Sequence, residues 1–546
     1  MEKGSMSPQA QGGVRAVNTA GGSVPVGPSV ETAKFAHNVF ANWAGHFVFI
    51  VSGFILPRFI NDQLGQERLG VWDFGWSSIC YLALLNAGIA SSVNRFVARY
   101  RATSDWVSLN RTVSACACVF TCTAAAAVVI TLILVAILPH ILPSSFSPYY
   151  AEAQALLFFL GLTTALGLWM PVYGGVISGS QRYDLLSYIE AGCQILLLLS
   201  LVAALVLGCG LRAMAILVLA CKLVEAGLKF VVAHRVVPSL RISPSGVTLA
   251  GIREVAAFGG KTFLNQTSKM ILYQGNSVLI AFFLGPSSLA IFARSIALIN
   301  HANKLLYHFA RVFTPVASSR QASEGKAATA RLVLLGVRYS MLISLPIMLV
   351  LLIMGDSLLR LWMGAEFATL PLLAILAVGH FASQAQVGAY YTLAGMDRHG
   401  ALGVASMAAA ILSIIATSAS LILFGGGLLT VAISVGVSLS LVNLLVVPLI
   451  VVRAAKIPIG KYASQVASAT LIAVPFAACL VAARLLLMPN DYLLLAVGLP
   501  VSGIILGLCY WRWALPASLK YRILQRFGAR APEERRSPCD ASSDSC

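Results

Sequence analysis

Apolar runs of twenty residues or more alternate with short polar connections from about residue 38 to residue 515. About twenty apolar residues are what a helix needs to cross the hydrocarbon of a bilayer. The pattern predicts fourteen such helices, at 38–60, 69–92, 112–137, 153–177, 185–208, 211–234, 261–284, 288–311, 332–354, 370–395, 400–424, 428–452, 463–485 and 492–514. They are called spans 1 to 14 below. The expected fold is all-α, a polytopic membrane protein. Each span with its connection occupies about 34 residues, which leaves no room for a nucleotide-binding domain. No GxxxxGKS or GxxxxGKT loop is present, which argues against an ATP-driven pump encoded in this chain.

The flanks divide the chain further. Residues 1–33 are rich in Gly, Ser, Pro and Ala and lack the apolar stretch of a signal peptide, so they read as a disordered cytoplasmic extension. Residues 515–546 read as a basic cytoplasmic tail. Between them the expected units are a six-helix bundle over 34–240, a second over 241–456, and two extra helices over 457–514.

Composition agrees with the pattern. The chain has 546 residues, 58% hydrophobic and 11% charged, and its mean hydropathy is +0.84. Soluble domains carry about a quarter charged residues, so a soluble enzyme or a disulfide scaffold is excluded. The net charge of +18 could suggest nucleic acid. Its placement argues instead for basic cytoplasmic loops and no nucleic-acid partner. With the N-terminus inside, inner connections hold Arg95, Arg99, Arg101, Arg111, Arg182, Arg235, Arg241, Arg253, Arg320, Lys326, Arg331, Arg398, Arg453, Lys456 and Lys461. Outer ones hold only Arg58, Arg68, Arg212, Arg360 and Arg484. The bias predicts both termini cytoplasmic and an even number of spans.

A weak internal repeat is visible. Leu64-Gly65, Leu69 and Trp72 recur as Leu284-Gly285, Leu289 and Phe292, at a constant offset of 220 residues. Each group follows the first span of a six-span block. This predicts two six-helix bundles in the same orientation, a parallel repeat, with spans 13 and 14 outside it.

An ionisable residue inside a membrane is a functional candidate by default, because insertion costs at least about 2.5–3.5 kcal/mol. Span 8 carries Arg294, His301, Lys304, His308 and Arg311 within an arc of roughly 100°. Span 7 carries Lys261, Asn265, Lys269, Tyr273 and Asn276 within roughly 120°. The two stripes are expected to face each other or one water-filled cavity. Lys261 and Arg311 stand at span ends, where long basic side chains snorkel. His301 and His308 either pack or line the cavity. The candidate substrate-binding set is Lys269, Arg294, His301, Lys304, Asn265, Tyr273 and Asn276, a lining that suits a phosphate or diphosphate headgroup. The acids Asp73, Glu190 and Glu225 either couple transport to protons or sodium, or pair with nearby bases. Asn42, His46, Asn86 and Asn94, with His380, Gln384, Gln386, Tyr390 and Tyr391 of span 10, suit sugar hydroxyls or serve as interhelical hydrogen bonds. The eleven cysteines form no metal pattern, and no cofactor is expected.

Three stretches carry a family resemblance. They are Leu64 to Tyr100, with LGQERLGVW, Leu85-Asn86-Ala-Gly88-Ile89 and the arginines Arg95 and Arg99; GGVISGSQRYD from Gly174 to Asp184; and LWMGAEF from Leu361 to Phe367. Together they resemble the bacterial O-antigen and exopolysaccharide flippases of the multidrug/oligosaccharidyl-lipid/polysaccharide exporter superfamily. Asn86 stands where such proteins commonly have Asp. The resemblance implies a V-shaped pair of bundles in the bacterial inner membrane, alternating access driven by a proton or sodium ion, and no bond-making chemistry. It also implies an undecaprenyl-diphosphate-linked oligosaccharide as substrate, moved from inner to outer leaflet. The partners expected are that lipid-linked oligosaccharide, membrane lipids and polysaccharide polymerase or other assembly proteins, with the protein itself a monomer. Competing readings are a multidrug or organic-cation antiporter and a peptidoglycan-precursor flippase of the same superfamily. A membrane-embedded polymerase would need catalytic groups on an outer loop, and the longest, about 138–152, holds only His140 and Glu152.

Overall fold

A computed structural model describes residues 30–86, 90–244, 247, 252, 267–396, 398–516 and 519–521. The described residues are helical with no strand. Eleven stretches are individually long and apolar enough to cross a membrane. The longest, Thr267–Gln321, has 55 residues. At 1.5 Å per residue a straight helix of that length would run about 80 Å, far beyond a bilayer of about 30 Å. It is two spans, because Gly285 inside it adopts φ 81°, ψ 177°. Two further predicted spans fall outside the eleven for local reasons. Span 2 is broken into Gln66–Ile79, a 3₁₀ turn at Cys80–Asn86, and Ala90–Ala102. Span 6, Leu211–Val236, carries Arg212, Lys222, Glu225 and Lys229.

The repeat at the two glycines is a repeat of backbone shape. Gly65 has φ 88°, ψ 166°, nearly the conformation of Gly285. That region is open to glycine and strained for other residues. The correspondence continues downstream. Phe146 and Phe367 are both fully buried in short 3₁₀ turns, after which span 4 starts at Tyr150 and span 10 at Leu370. Both of those spans then break, at Met170 and at Ala385.

Within the first half, span 1 (Val30–Leu64) packs on span 5 (Tyr183–Val206), and span 4 packs on span 3 (Trp106–Ile141) and span 6. The glycines of GGVISG make one close approach possible. A Cβ on Gly175 would lie 2.6 Å from Val93, and one on Gly179 would lie 2.8 Å from the Asn94 carbonyl oxygen. This is a small-xxx-small contact between the ends of spans 2 and 4. In the second half, span 9 (Phe313–Met363) packs along span 10, and span 12 joins spans 10 and 11.

Span 13 (Ile459–Leu487) and span 14 (Asp491–Ala514) dock on span 9. A buried apolar cluster of Met354, Phe476, Leu480 and Leu494 forms the contact. Asp356 accepts two hydrogen bonds from Arg484, at 2.8 and 2.9 Å, and Arg360 reaches Asp491 at 3.0 Å. Arg360 and Arg484 thus hold the extra spans in place.

Candidate functional site

The two halves meet at the end marked by Gly65 and Gly285. The backbones there nearly touch, since a Cβ on Gly70 would lie 1.9 Å from the Pro286 carbonyl oxygen. Gln66 Nε2 donates to the Ser287 carbonyl at 3.0 Å. Trp362 of LWMGAEF donates its indole N–H to the Phe54 carbonyl at 2.7 Å, and Phe54 stacks on His301 with ring centroids 4.6 Å apart. At the centre, Arg294 Nη2 lies 2.5 Å from Asp73 Oδ1, with the two side chains 7% and 13% exposed. Among the described residues this is the ion pair that joins the halves.

The basic stripe of span 8 therefore faces the first half. Arg294 and His301 are held at the seam, and Lys304 and Arg311 further along the helix are exposed. Asp73, a coupling candidate, is the partner of Arg294, a binding candidate.

The stripe of span 7 points elsewhere. Asn265 and Lys261 lie outside the described residues. Lys269 Nζ sits 4.6 Å from the centroid of the Tyr307 ring of span 8. A cavity of about 70 Å³ beside it is lined by Tyr307, Ser383, Gln386, Tyr390, Ser406 and Asn443 among others. Tyr273 stacks on His380, with centroids 5.5 Å apart. Asn276 donates to Ser413 Oγ at 3.1 Å and accepts from Thr417 at 2.8 Å. Tyr273 and Asn276 thus tie span 7 to spans 10 and 11 inside the second half. Tyr273 lies in a π turn, Ile271–Gly275, which shifts the face that a regular helix would present.

A cavity of about 760 Å³ lies in the first half among spans 1, 2, 4, 5 and 6. Glu190 and Glu225 line it, and both are paired. Lys229 Nζ is 2.8 Å from Glu190 Oε1 and 2.8 Å from Glu225 Oε1, and Lys222 Nζ is 2.9 Å from Glu225 Oε2. Asn94 reaches the same cavity and donates to Tyr183 at 3.0 Å. Asn86 does not line it. Its side chain bonds the Leu168 carbonyl at 2.5 Å and accepts from Thr123 at 2.8 Å, which is interhelical packing.

Residues 107–370 match the profile of a family described as "Polysaccharide biosynthesis protein". The match covers just under half of the chain. No curated protein matches it in sequence. Its fold is that of a transporter superfamily. An inward-facing multidrug resistance MATE family transporter of the MOP superfamily superposes with a TM-score of 0.66 at 12% identity, covering 78% of this chain and 99% of that one. The lipid II flippase MurJ in an inward closed conformation gives 0.62 at 14% identity, over 89% and 100%. A MOP superfamily transporter from Pyrococcus furiosus, described as having a binding pocket of reversed polarity, gives 0.54 at 13%, over 79% and 96%. These neighbours are transporters and a flippase, not enzymes. The chain is thus a multi-pass membrane protein whose fold is similar to theirs.

Lys222 and Lys229 went unread in the sequence. Their signal is present: span 6 reads Lys222-x-x-Glu225-x-x-x-Lys229, and those spacings place all three on one helix face.

Proposed function

We propose that the protein is a flippase that moves an undecaprenyl-diphosphate-linked oligosaccharide from the inner to the outer leaflet of the bacterial cytoplasmic membrane. The observation that carries this reading is the basic face of span 8, turned toward the first half at the seam. Arg294 and His301 lie on it, with Lys304 exposed beyond them, in a chain whose middle matches a polysaccharide-biosynthesis family. A diphosphate is the group such a face binds. The sugars would follow it between the halves while the lipid tail stays in the bilayer.

The Lys/Arg bias puts both termini in the cytoplasm and the Gly65/Gly285 end outside. The seam is then closed toward the outside, and the arrangement is the inward-facing stage of an alternating-access cycle. Glu190 and Glu225 are the groups proposed to exchange a coupling ion, since both line the large cavity of the first half. The protein acts as a monomer that hands its substrate to a polymerase.

An organic-cation exporter is the competing reading. It would need acidic groups facing the substrate, and spans 7, 8, 10, 11 and 12 contain no Asp or Glu. A deletion strain separates the two. Loss of a surface polymer with a complete lipid-linked repeat unit retained on the inner leaflet supports the flippase. Normal polymer with new sensitivity to cationic drugs supports the exporter.

A further inference from the structure

The Asp73–Arg294 pair occupies the group best suited to the substrate. Arg294 is the most buried of the bases placed on the face of span 8, and its guanidinium is already bonded to a carboxylate from the other half. That bond is incomplete. Asp73 Oδ2 and Arg294 Nε are buried with no hydrogen-bond partner among the described residues. A guanidinium presents a fork of donors, and a carboxylate that uses one oxygen leaves part of the fork unused. A diphosphate has more acceptor oxygens and more charge, and it would satisfy the fork better. With Arg294 7% exposed, an anion reaches it by taking the place of Asp73 rather than by joining it. The other seam contacts described here involve no carboxylate: Gln66 to Ser287, Trp362 to Phe54, Arg58 Nη1 to the Trp362 carbonyl at 3.2 Å, and Phe54 against His301.

We propose that Arg294 serves two anions in turn, Asp73 while the seam is shut and the diphosphate of the arriving substrate afterwards, so that the substrate itself unlatches the two halves. This rests on the flippase reading and names the residue through which substrate binding triggers the conformational change. The freed Asp73 becomes an unpaired carboxylate that disfavours the shut seam until the product leaves. The cycle then resets when Asp73 recaptures Arg294. A ligand shifts a two-state equilibrium only through different affinities for the two states, and competition for one guanidinium supplies that difference.

The test uses the full-length protein in nanodiscs, with farnesyl diphosphate as the probe. Binding is read by equilibrium dialysis, and the seam by deuterium uptake at residues 64–76 and 284–298. In the wild type, farnesyl diphosphate should bind and raise uptake in both segments. Asp73→Asn should show raised uptake without ligand. The exchanged pair, Asp73→Arg with Arg294→Asp, should restore low uptake and not respond to the probe. Arg294→Lys keeps a cation for Asp73 but not the fork. It should stay shut and bind the probe about tenfold more weakly, which keeps the test decisive if the exchanged pair does not fold. A response of the exchanged pair like that of the wild type, wild-type protection in Asp73→Asn, or undiminished binding by Arg294→Lys would overturn the proposal. Binding without a change in uptake defeats this inference and leaves the flippase reading standing. No binding at all defeats the flippase reading and this inference with it.

Discussion

The two halves share a backbone plan and handle buried charge in opposite ways. In the first half, two lysines and two glutamates form a chain, Glu190–Lys229–Glu225–Lys222, on the wall of a cavity of about 760 Å³. In the second half, Lys269 rests against the Tyr307 ring beside a cavity of about 70 Å³, and the surrounding spans 7, 8, 10, 11 and 12 contain no acid. A buried cation with paired carboxylates is a compensated group whose removal strands its partners. A cation facing only an aromatic ring and neutral polar groups strands nothing when it is removed. The same residue type therefore does different work: Lys229 holds its half together, and Lys269 is retained at a cost in stability, which points to function.

The sharpest way to break that contrast is to remove each lysine in turn. Lys229→Met leaves Glu190 and Glu225 without their shared partner, and breaking a buried pair costs about 3–5 kcal/mol. Glu190 is 42% exposed, so water offsets part of its loss, and the expected cost is at the lower end of that range. Thermal unfolding in detergent should show a large drop, and adding Glu225→Gln should recover part of it. Lys269→Met should leave the unfolding midpoint unchanged or raise it while transport is lost. Equal destabilisation by the two substitutions would remove the distinction between the halves.

The next effect concerns the surface where the halves join. Gly70→Ala places a methyl group 1.9 Å from a backbone oxygen that cannot rotate away. Overpacking of this kind costs about 1–3 kcal/mol, and here it falls on the shut seam alone. Deuterium uptake at residues 66–76 should rise and transport should fall, with folding intact. Gly192→Ala is the control, since nothing lies within 4 Å of its added Cβ. It should be neutral or slightly stabilising, as alanine is in a helix. Unchanged protection in Gly70→Ala would mean that the seam does not close as described.

These contrasts were unequally legible from the sequence. The spans were readable because hydropathy depends on composition alone, and Gly65 and Gly285 were readable because a rare backbone shape demands one residue type. The bases of span 8 fell on one arc, and the fold turned that arc toward the first half. No pattern linked Arg294 to Asp73, because a pairing across 221 positions depends on how the bundles meet. Span 7 shared its arc only as a regular helix, and the π turn at Ile271–Gly275 is invisible to a periodicity of 3.6. The Lys222/Glu225/Lys229 face was written in the sequence.

The smallest effect distinguishes two corresponding turns at the end opposite the seam, Gly179–Arg182 and Gly395–Arg398. In the first, Arg182 grips Asp184 with two bonds of 3.0 Å. In the second, Arg398 donates to the Ala454 carbonyl at 2.9 Å, an acceptor that does not titrate. The pair's contribution is present while the Asp184 carboxyl is ionised and is lost as it protonates at low pH. Arg182 is 49% exposed, so the contribution should stay under about 1 kcal/mol and weaken with salt. Asp184→Asn should therefore lower the unfolding midpoint slightly at pH 7, and the difference from wild type should vanish as the pH approaches 3. Arg398→Met should lower it by a similar amount at every pH. If both differences changed with pH, a titrating partner would have to lie near Arg398 as well, and the two halves would be more alike in their turns than in their interiors.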